Sequence, residues 1–289
     1  MSNKKTSFEI YRYQIIPQNR YWEPELFADN KYKTIDELIA NKNTIFANIL
    51  NSLPINKFPQ ENRIDLNCKI LSQEQDEYLF ELAVGRKILI EKQDFEKETL
   101  TNWPSFKFFV WNSPRYQYAV IQKRIEAVAN TKTIIYALSN TINQQLKKYN
   151  LRVYFEALFE QRRFWDTVSN YRNGLKEVRF ELITPNMANI SECLTDELKE
   201  LAKETNSCKM TVSLLSDNES ALKIDNSNEC ISGMLNYASE GGGNITFRAK
   251  KIRRLIKTNN SIKRIELDDV VVNGSNPHQV IKSIKESLQ

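Results

Sequence analysis

From residue 151 onward, short apolar runs with the periodicity of strands alternate with segments that have the periodicity of helices. Val178, Phe180 and Leu182 recur at every second position, whereas Leu194 and Leu198 are spaced to share one face of a helix. Each such strand or helix has one apolar side that it must bury on a neighbour, so the alternation predicts sheets covered by helices. We predict an α/β or α+β fold with mixed sheets, in which the C-terminal order is compatible with ferredoxin-like βαβ units or a parallel sheet.

The length of 289 residues favours two compact domains or one large one, because a single hydrophobic core stops growing at about 250 to 300 residues. Of these we prefer two α/β lobes. Residues 1–158 are predicted to form an N-terminal α/β lobe with a hairpin. Residues 159–289 are predicted to form a C-terminal α/β lobe that carries a glycine triplet and a cluster of basic residues. No glycine-rich or proline-rich linker separates the two, so we expect the lobes to pack against each other.

The apolar pattern of the N-terminal lobe predicts one long helix and several strands. Thr34 and Glu37 have the spacing of a capping box, and Pro54 is expected to end the helix that they begin. The turn residues Asn112 to Pro114 predict the hairpin. The charged segment at 91–102 lacks regular apolar spacing and is predicted to be a solvated loop with one helical turn. Predicted strands cover residues 8–17, 64–70, 78–90, 106–111 and 116–122.

The charge balance and the thiols restrict the partners and the compartment. Lys+Arg 41 against Asp+Glu 36 gives a net charge of +5, a mild excess that permits binding to nucleic acid or an acidic surface. No apolar run approaches the length of a membrane span and no signal peptide is visible, so we expect a cytoplasmic protein without a membrane partner. The cysteines lack metal-ligand spacing and are predicted to be buried, reduced thiols. They are Cys68, Cys193, Cys208 and Cys230.

Three consecutive glycines, Gly241, Gly242 and Gly243, stand between a short helical segment and a strand. They lack the Lys-Ser/Thr pair of a P-loop and the spacing of a dinucleotide-binding turn, and a strand follows where a phosphate site would need a helix. The favoured interpretation is structural, a helix end with a close backbone approach. The alternative is a nest of backbone amides that binds an anion.

The sequence offers no complete set of residues for nucleophilic catalysis. A Ser-His-Asp or Cys-His site needs a histidine base, and His278 is the one histidine in the chain. It follows Pro277 at the start of a predicted terminal helix, where an exposed structural position is the simpler interpretation. We therefore expect no catalytic site and no cofactor, with Mg²⁺ as the alternative cofactor.

An acidic cluster with a lysine supports an enzymatic alternative, a magnesium-dependent nuclease. Glu266, Asp268 and Asp269 follow Lys263 on or beside a strand predicted at residues 262–272. Glu266 and Asp268 have one residue between them and are predicted to share one face of this strand. Carboxylates at a strand end can hold Mg²⁺, which activates a water molecule for phosphodiester hydrolysis. Acidic residues also close many strands without any such role, so the cluster is kept as an alternative only.

The densest group of cations follows the glycine triplet. Its side chains can neutralise the phosphates of a nucleic acid with little reading of sequence, or bind an acidic partner protein. A second basic group, Arg162, Arg163 and Arg172, is expected on the outward side of a neighbouring helix. The structural alternative is a solvated hairpin whose charges protect an edge strand. The predicted binding residues are Arg248, Lys250, Lys251, Arg253, Arg254, Lys257, Lys263 and Arg264.

Four short segments carry a resemblance to a known group of proteins. They are ITPNMANIS at residues 183–191, YASEGGGNI at 237–245, YRYQ at 11–14 and NWPS at 102–105. In these segments the chain resembles uncharacterised bacterial proteins that are carried on mobile elements and in anti-phage defence neighbourhoods. The resemblance implies a context, defence against phage, and no particular catalytic mechanism.

Together these features predict a nucleic-acid-binding or sensing component of a bacterial anti-phage defence system, without its own catalytic site. The alternatives are the magnesium-dependent nuclease and a protein-interaction subunit of a defence complex. A multi-protein complex or a homo-oligomer is compatible with each of these functions.

Overall fold

The computed structural model describes residues 4–19, 32–53, 64–183, 196–274 and 276–289, and these residues form both strands and helices. The strands in chain order are β1 (Lys5–Pro17), β2 (Leu66–Glu74), β3 (Glu77–Val84), β4 (Arg86–Glu91), β5 (Lys97–Asn102), β6 (Ser105–Asn112), β7 (Gln117–Gln122), β8 (Leu151–Ala157), β9 (Leu175–Ile183), β10 (Lys209–Leu215), β11 (Gly243–Ala249), β12 (Ile256–Lys257) and β13 (Arg264–Asp268). The α-helices are α1 (Ile35–Ser52), α2 (Thr131–Leu146), α3 (Gln161–Asn170), α4 (Asp196–Glu204), α5 (Glu229–Tyr237), α6 (Asp269–Asn273) and α7 (Pro277–Leu288). The predicted α/β class is confirmed.

Two compact units are formed, and each is assembled from separate segments of the chain. The first contains Met1–Glu9, Ala40–Tyr149 and Arg264–Gln289, and the second contains Ile10–Ile39 and Asn150–Lys263. β1 therefore begins in the first unit and continues into the second. The boundary predicted between residues 158 and 159 falls inside a segment of the second unit. It stays a prediction, because compactness alone does not show which part folds independently.

The first unit is built on a sheet with the strand order β13-β1-β7-β6-β3-β2. Phe108 of β6 lies opposite Phe80 of β3, and Val110 of β6 lies opposite Ala119 of β7, in antiparallel pairs. The hairpin predicted from the turn at residues 112–114 is thus confirmed as β6 and β7. α7 contacts β2, β3 and β13 and buries Ile284 completely.

Two of the helices begin at polar capping residues. At α1 the Glu37 N–H donates to the Thr34 hydroxyl (3.1 Å), and the Glu37 carboxylate accepts from the Lys33 N–H (2.7 Å). The predicted start at Thr34 is therefore correct, although the returning bond reaches one residue further back. At α7 the Asn276 side chain accepts from a backbone N–H, and Pro277 occupies the first turn. No helix in the described segments is long and apolar enough to cross a membrane.

The chain between β3 and β6 forms a second hairpin, and here the sequence-based prediction is wrong. Gly85 interrupts the strand predicted at residues 78–90, and part of the predicted loop at 91–102 forms β5. β4 and β5 pair antiparallel, from Arg86 opposite Asn102 to Glu91 opposite Lys97. They form a two-stranded sheet of their own, whose residues are all exposed. Because both faces meet solvent, the apolar alternation of a half-buried strand is absent.

The second unit contains a four-stranded sheet with the order β10-β9-β11-β12. Phe180 of β9 lies opposite Val212 of β10 and Ile245 of β11, and both pairings are antiparallel. The described strands of this sheet therefore do not form the parallel sheet that was one alternative. A βαβ crossover joins parallel strands, so none connects β9 to either neighbour. Phe164 of α3 and Met234 of α5 join Phe180 in one buried apolar cluster.

β1 pairs with strands that come much later in the sequence. In the first unit Ser7 lies opposite Glu266 of β13, and in the second unit Tyr13 lies opposite Phe155 of β8, in both cases antiparallel. The strand predicted to end at Pro17 is thus confirmed.

The glycine triplet has the structural role that the sequence favoured. Gly241 has a φ of 85°, and a Cβ at this position would lie 2.5 Å from the Cβ of Arg12. Gly243 approaches the Glu181 carbonyl so closely that a Cβ would overlap with it. The glycines at 241–243 are all buried, so their amides do not face solvent. The alternative, an exposed nest for an anion, gains no support.

Two smaller predictions need correction. The strand predicted at residues 262–272 ends at Asp268, because two consecutive aspartates favour a helix start and α6 follows. Cys68 is buried, and burial raises the pKa of its thiol to about 12. Cys208 and Cys230 are exposed instead of buried, since they lie beside β10 and in the first turn of α5. Cys193 lies outside the described residues.

Candidate nucleic-acid interface

Most of the predicted basic residues lie on the segment that follows β11 in the second unit. The segment is fixed at its start, because the Lys250 N–H donates to the Gly174 carbonyl (2.7 Å). It is fixed again at β12, where Lys257 lies opposite Thr246 of β11. Between these points Lys251 has a φ of 68°, in the left-handed region that non-glycine residues rarely adopt. The cations are therefore carried on a backbone that is held at both ends.

Six cations of the predicted cluster are exposed and form no ion pair within the described residues. No aspartate or glutamate occurs between residues 250 and 263, so nothing in the segment itself offsets their charge. We call these six residues the basic loop. They are Lys250, Lys251, Arg253, Arg254, Lys257 and Lys263.

The other two predicted residues, Arg248 and Arg264, are held by buried carboxylates. Arg248 lies opposite Glu177 on β9, with its Nε 3.5 Å from the carboxylate. Arg264 lies opposite Glu9 on β1 and donates to it at 2.8 and 3.0 Å. Each carboxylate also pairs with a second cation, Glu177 with Arg179 (2.7 Å) and Glu9 with Lys123 (3.4 Å), so the charges of Arg248 and Arg264 are only partly offset. Arg264 also belongs to the first unit.

A cavity of about 360 Å³ lies between α3 and the end of the basic loop in the second unit. It brings together one residue of each predicted basic group, Arg163 from α3 and Lys257 from β12. Both are exposed, and neither forms an ion pair within the described residues. Arg162 and Arg172 are exposed but do not line the cavity. The lining includes Arg163, Asp166, Thr167, Phe247, Lys257 and Ser261.

The charge of the cavity is positive but reduced by one carboxylate. Asp166 of α3 is part of the lining, and its Oδ2 lies 4.0 Å from the Nε of Arg162. This ion pair is exposed and therefore weak. Arg163 and Lys257 remain as two cations against one anion. The cavity therefore favours an anion that both cations can reach.

Thr258 fixes the wall of the cavity that carries Lys257. Its buried hydroxyl accepts from the Ile245 N–H (3.1 Å) and donates to the Asn244 side-chain oxygen (3.3 Å). The Asn259 N–H donates to the same Asn244 oxygen (3.3 Å). These bonds tie the turn after β12 to β11, so Lys257 is positioned by buried contacts.

The sequence did not indicate the uncharged residues of the cavity. Thr167 lies on α3, and its hydroxyl donates to the Arg163 carbonyl (2.8 Å), one helical turn back. Thr258 and Ser261 lie in the turn after β12, more than eighty residues further along the chain. Nothing in the local pattern of these residues marks them, because the cavity exists only where α3 and β12 meet.

The acidic residues of the nuclease alternative are not gathered into a metal site. Glu266 and Asp268 lie on the exposed side of β13, as their spacing predicted. Asp269 accepts a hydrogen bond from the Thr6 hydroxyl (2.7 Å), which lowers the pKa of its carboxyl. Lys263 belongs to the other unit. Across the described ranges, no three or more His, Cys, Asp or Glu side chains are placed to hold a metal ion.

His278 has the structural surroundings that its sequence position suggested. It lies in the first turn of α7, and its Nδ1 is 3.0 Å from the Glu74 carboxylate, with both side chains exposed. A catalytic histidine would need a nucleophile within hydrogen-bond reach, and Glu74 is instead a surface partner.

Comparison with known proteins adds no assignment to this site. No family model matches the sequence, and no curated protein matches it.

Proposed function

We propose that the protein binds nucleic acid through the basic loop and the adjoining cavity. One observation carries the proposal: six exposed cations lie in a segment without carboxylates, and one of them, Lys257, lines a cavity together with Arg163. Clustered lysines and arginines neutralise phosphates and release condensed counterions, which is the main source of affinity for a nucleic acid.

The chemistry of the cavity favours a phosphate group as the unit that enters it. The Arg163 guanidinium can donate two parallel hydrogen bonds to phosphate oxygens, while the Lys257 ammonium adds a point charge. The volume of about 360 Å³ lies within the range of small-ligand sites and exceeds that of one phosphate. One nucleotide of a longer chain would be held there, while its neighbours lie along the basic loop.

Binding of this kind depends on charge and shape more than on base sequence. Phosphate contacts position a nucleic acid without reading its bases. A sensing component of a bacterial anti-phage defence system needs such general recognition, and the resemblance of the chain to proteins from defence neighbourhoods suggests this setting. We propose no catalytic step for the chain itself.

Filter binding to duplex DNA, single-stranded DNA and RNA over a series of salt concentrations tests the proposal. The logarithm of the binding constant should fall linearly with the logarithm of salt, by about 0.9 per neutralised phosphate for duplex and about 0.7 for a single strand. The double variant Arg253→Gln/Arg254→Gln should reduce the slope by about 1.4 to 1.8, because two phosphate contacts are lost.

Lys147 and Lys148 provide the matched control. They are adjacent and exposed like the two arginines but lie in the first unit. Lys147→Gln/Lys148→Gln should leave the salt slope unchanged. Absence of binding at low salt would overturn the proposal. A stoichiometric acidic protein that co-purifies after nuclease treatment, together with no nucleic-acid binding, would favour the acidic-partner alternative instead.

A further inference from the structure

The hairpin of β4 and β5 exposes apolar side chains on a sheet that has only two strands. Leu89 is 58% exposed and Phe95, at the turn, is 90% exposed, while Ile88 and Ile90 are each 41% exposed. Leu100, opposite Ile88, is 44% exposed. An isolated two-stranded hairpin is marginally stable in water, and sheets gain stability with three or more strands. Solvent-exposed edges and apolar side chains together indicate a surface that another strand completes.

The outer edge of β4 is complementary to a second copy of itself. In an antiparallel pair of identical strands, a two-fold axis passes between one residue and its own copy. If Leu89 lies on this axis, Ile88 faces Ile90 of the other copy, and Lys87 faces Glu91. The register therefore places three apolar contacts in the centre, flanked on each side by one Lys–Glu pair. Beyond these pairs it places Arg86 opposite Lys92, whose ammonium is 3.0 Å from Glu98 of its own chain. Opposite charges directly across a strand pair stabilise it.

The charges already present in the hairpin are compatible with this register. Glu91 pairs with Lys97 within the chain (3.2 Å) but keeps 66% of its side chain exposed, so a second cation can reach it. Lys87 is exposed and has no ion-pair partner within the described residues. The outer edge of β5 offers no such match, because its residues are KETLTN and every symmetric register leaves its charges without opposite partners.

We propose that two copies of the chain associate through β4, with Leu89 on the two-fold axis, to form a continuous four-stranded sheet. The apolar side chains of β4 lie at its centre, and the two Lys87–Glu91 pairs fix the register. The charges of the whole hairpin balance, with four cations and four anions between residues 86 and 98, so two copies do not repel each other. This surface is independent of the basic loop.

Two variants with altered charges on the hairpin test the register, first each alone and then mixed with each other. Lys87→Glu places glutamate opposite glutamate in a homodimer, whereas Glu91→Lys/Lys97→Glu places lysine opposite lysine and keeps the bond between residues 91 and 97. Each variant alone should associate at least roughly tenfold more weakly than the natural protein, as measured by sedimentation. A mixture of the two should regain the natural association, because each residue 87 then faces a residue 91 of opposite charge.

Disulfide formation tests the position of the axis. Leu89→Cys should cross-link to its own copy on oxidation, since opposite Cα atoms in an antiparallel pair are about 4.5 to 5.5 Å apart and disulfides span about 4.4 to 6.8 Å. The cysteine variants are made in a protein in which Cys193, Cys208 and Cys230 are changed to serine, so that these thiols cannot form the cross-link. Thr99→Cys, on the outer edge of β5, is the matched control and should form no disulfide between copies under the same conditions, although it still associates through β4.

Each experiment can overturn the proposal. A mixture of the two charge variants that remains monomeric would contradict the Lys87–Glu91 pairing. Cross-linking of Thr99→Cys in preference to Leu89→Cys would assign the contact to β5. A natural protein that stays monomeric at all accessible concentrations would remove the self-association altogether. Circular dichroism of each variant confirms that it is folded.

Discussion

The basic loop and the β4–β5 hairpin are both exposed, but their side chains differ in kind. The basic loop carries six cations and no anion between residues 250 and 263. The hairpin carries as many anions as cations, arranged around exposed Ile, Leu and Phe side chains. The basic loop is tied to buried residues through Thr258, whereas the hairpin forms a sheet by itself.

This difference indicates that exposure alone does not define the partner of a surface. An excess of one charge is suited to a polyanion, whose affinity depends on salt. Balanced charges around an apolar centre are suited to a protein surface, where burial supplies the free energy and ion pairs fix the orientation. We therefore expect variants in one region to leave the function of the other unchanged.

Charge reversal in the cavity should have the largest effect. Arg163→Glu/Lys257→Glu removes two phosphate contacts, which corresponds to a loss in affinity on the order of 25- to 60-fold at about 0.1 M salt, before any added repulsion. Sedimentation should show unchanged self-association, because the hairpin is not altered. Equal losses in nucleic-acid binding from Lys147→Glu/Lys148→Glu would show that only net charge matters.

Removal of one threonine hydroxyl should destabilise the protein more at the basic loop than in the β4–β5 hairpin. Thr258→Val deprives the buried Ile245 N–H of its acceptor, and we expect the free energy of unfolding to fall by about 1 to 2 kcal/mol. Thr99→Val in the exposed hairpin should change it by less than about 0.5 kcal/mol. Urea denaturation measures both. A Thr258→Val protein as stable as the parent would show that this hydrogen bond does not fix the cavity wall.

Removal of the carboxylate from the cavity should strengthen binding. Asp166→Asn leaves Arg163 and Lys257 without an opposing charge, and an interaction of about 1 kcal/mol corresponds to roughly fivefold tighter binding of nucleic acid. Filter binding at fixed salt measures the change. Asp217→Asn, at another exposed position of the second unit, is the control and should have no such effect. Weaker binding by Asp166→Asn would indicate that the carboxylate itself contacts the ligand.

The smallest effect is expected for the stability of the hairpin variants. Leu89→Lys replaces a side chain that is already 58% exposed, so the free energy of unfolding at low protein concentration should change by less than about 0.5 kcal/mol. The same substitution should abolish self-association, since it places two lysines on the two-fold axis. A large loss of stability would show that Leu89 packs within its own chain.

The sequence predicts those parts of the fold in which one side of a strand or helix is buried. Phe180 and its neighbours in β9 alternate with polar residues, and Thr34 with Glu37 identifies the start of α1. The β4–β5 hairpin was missed because neither of its faces is buried within the chain. The local sequence pattern also does not predict that each unit is assembled from separate segments. This assembly depends on pairings between distant residues, such as Ser7 with Glu266.

The candidate site was predictable in its charge but not in its geometry. The cluster of cations after the glycine triplet is visible in the sequence, and so is the basic character of α3. The pairing of Arg248 and Arg264 with carboxylates depends on the registers that place Glu177 and Glu9 opposite them, and register is a property of paired strands. The cavity itself arises from a contact between α3 and β12 that no single segment encodes.

The placement of β1 has a consequence for synthesis of the chain. Residues 5–9 are translated about 250 residues before β13, the strand that pairs with them. Translation proceeds at roughly 5 to 20 residues per second, so this edge of β1 remains without its native neighbour for roughly ten seconds to nearly a minute. A nascent chain that does not yet contain β13 therefore leaves the backbone N–H and C=O groups of this edge unpaired, and an open strand edge is a template for pairing with another chain.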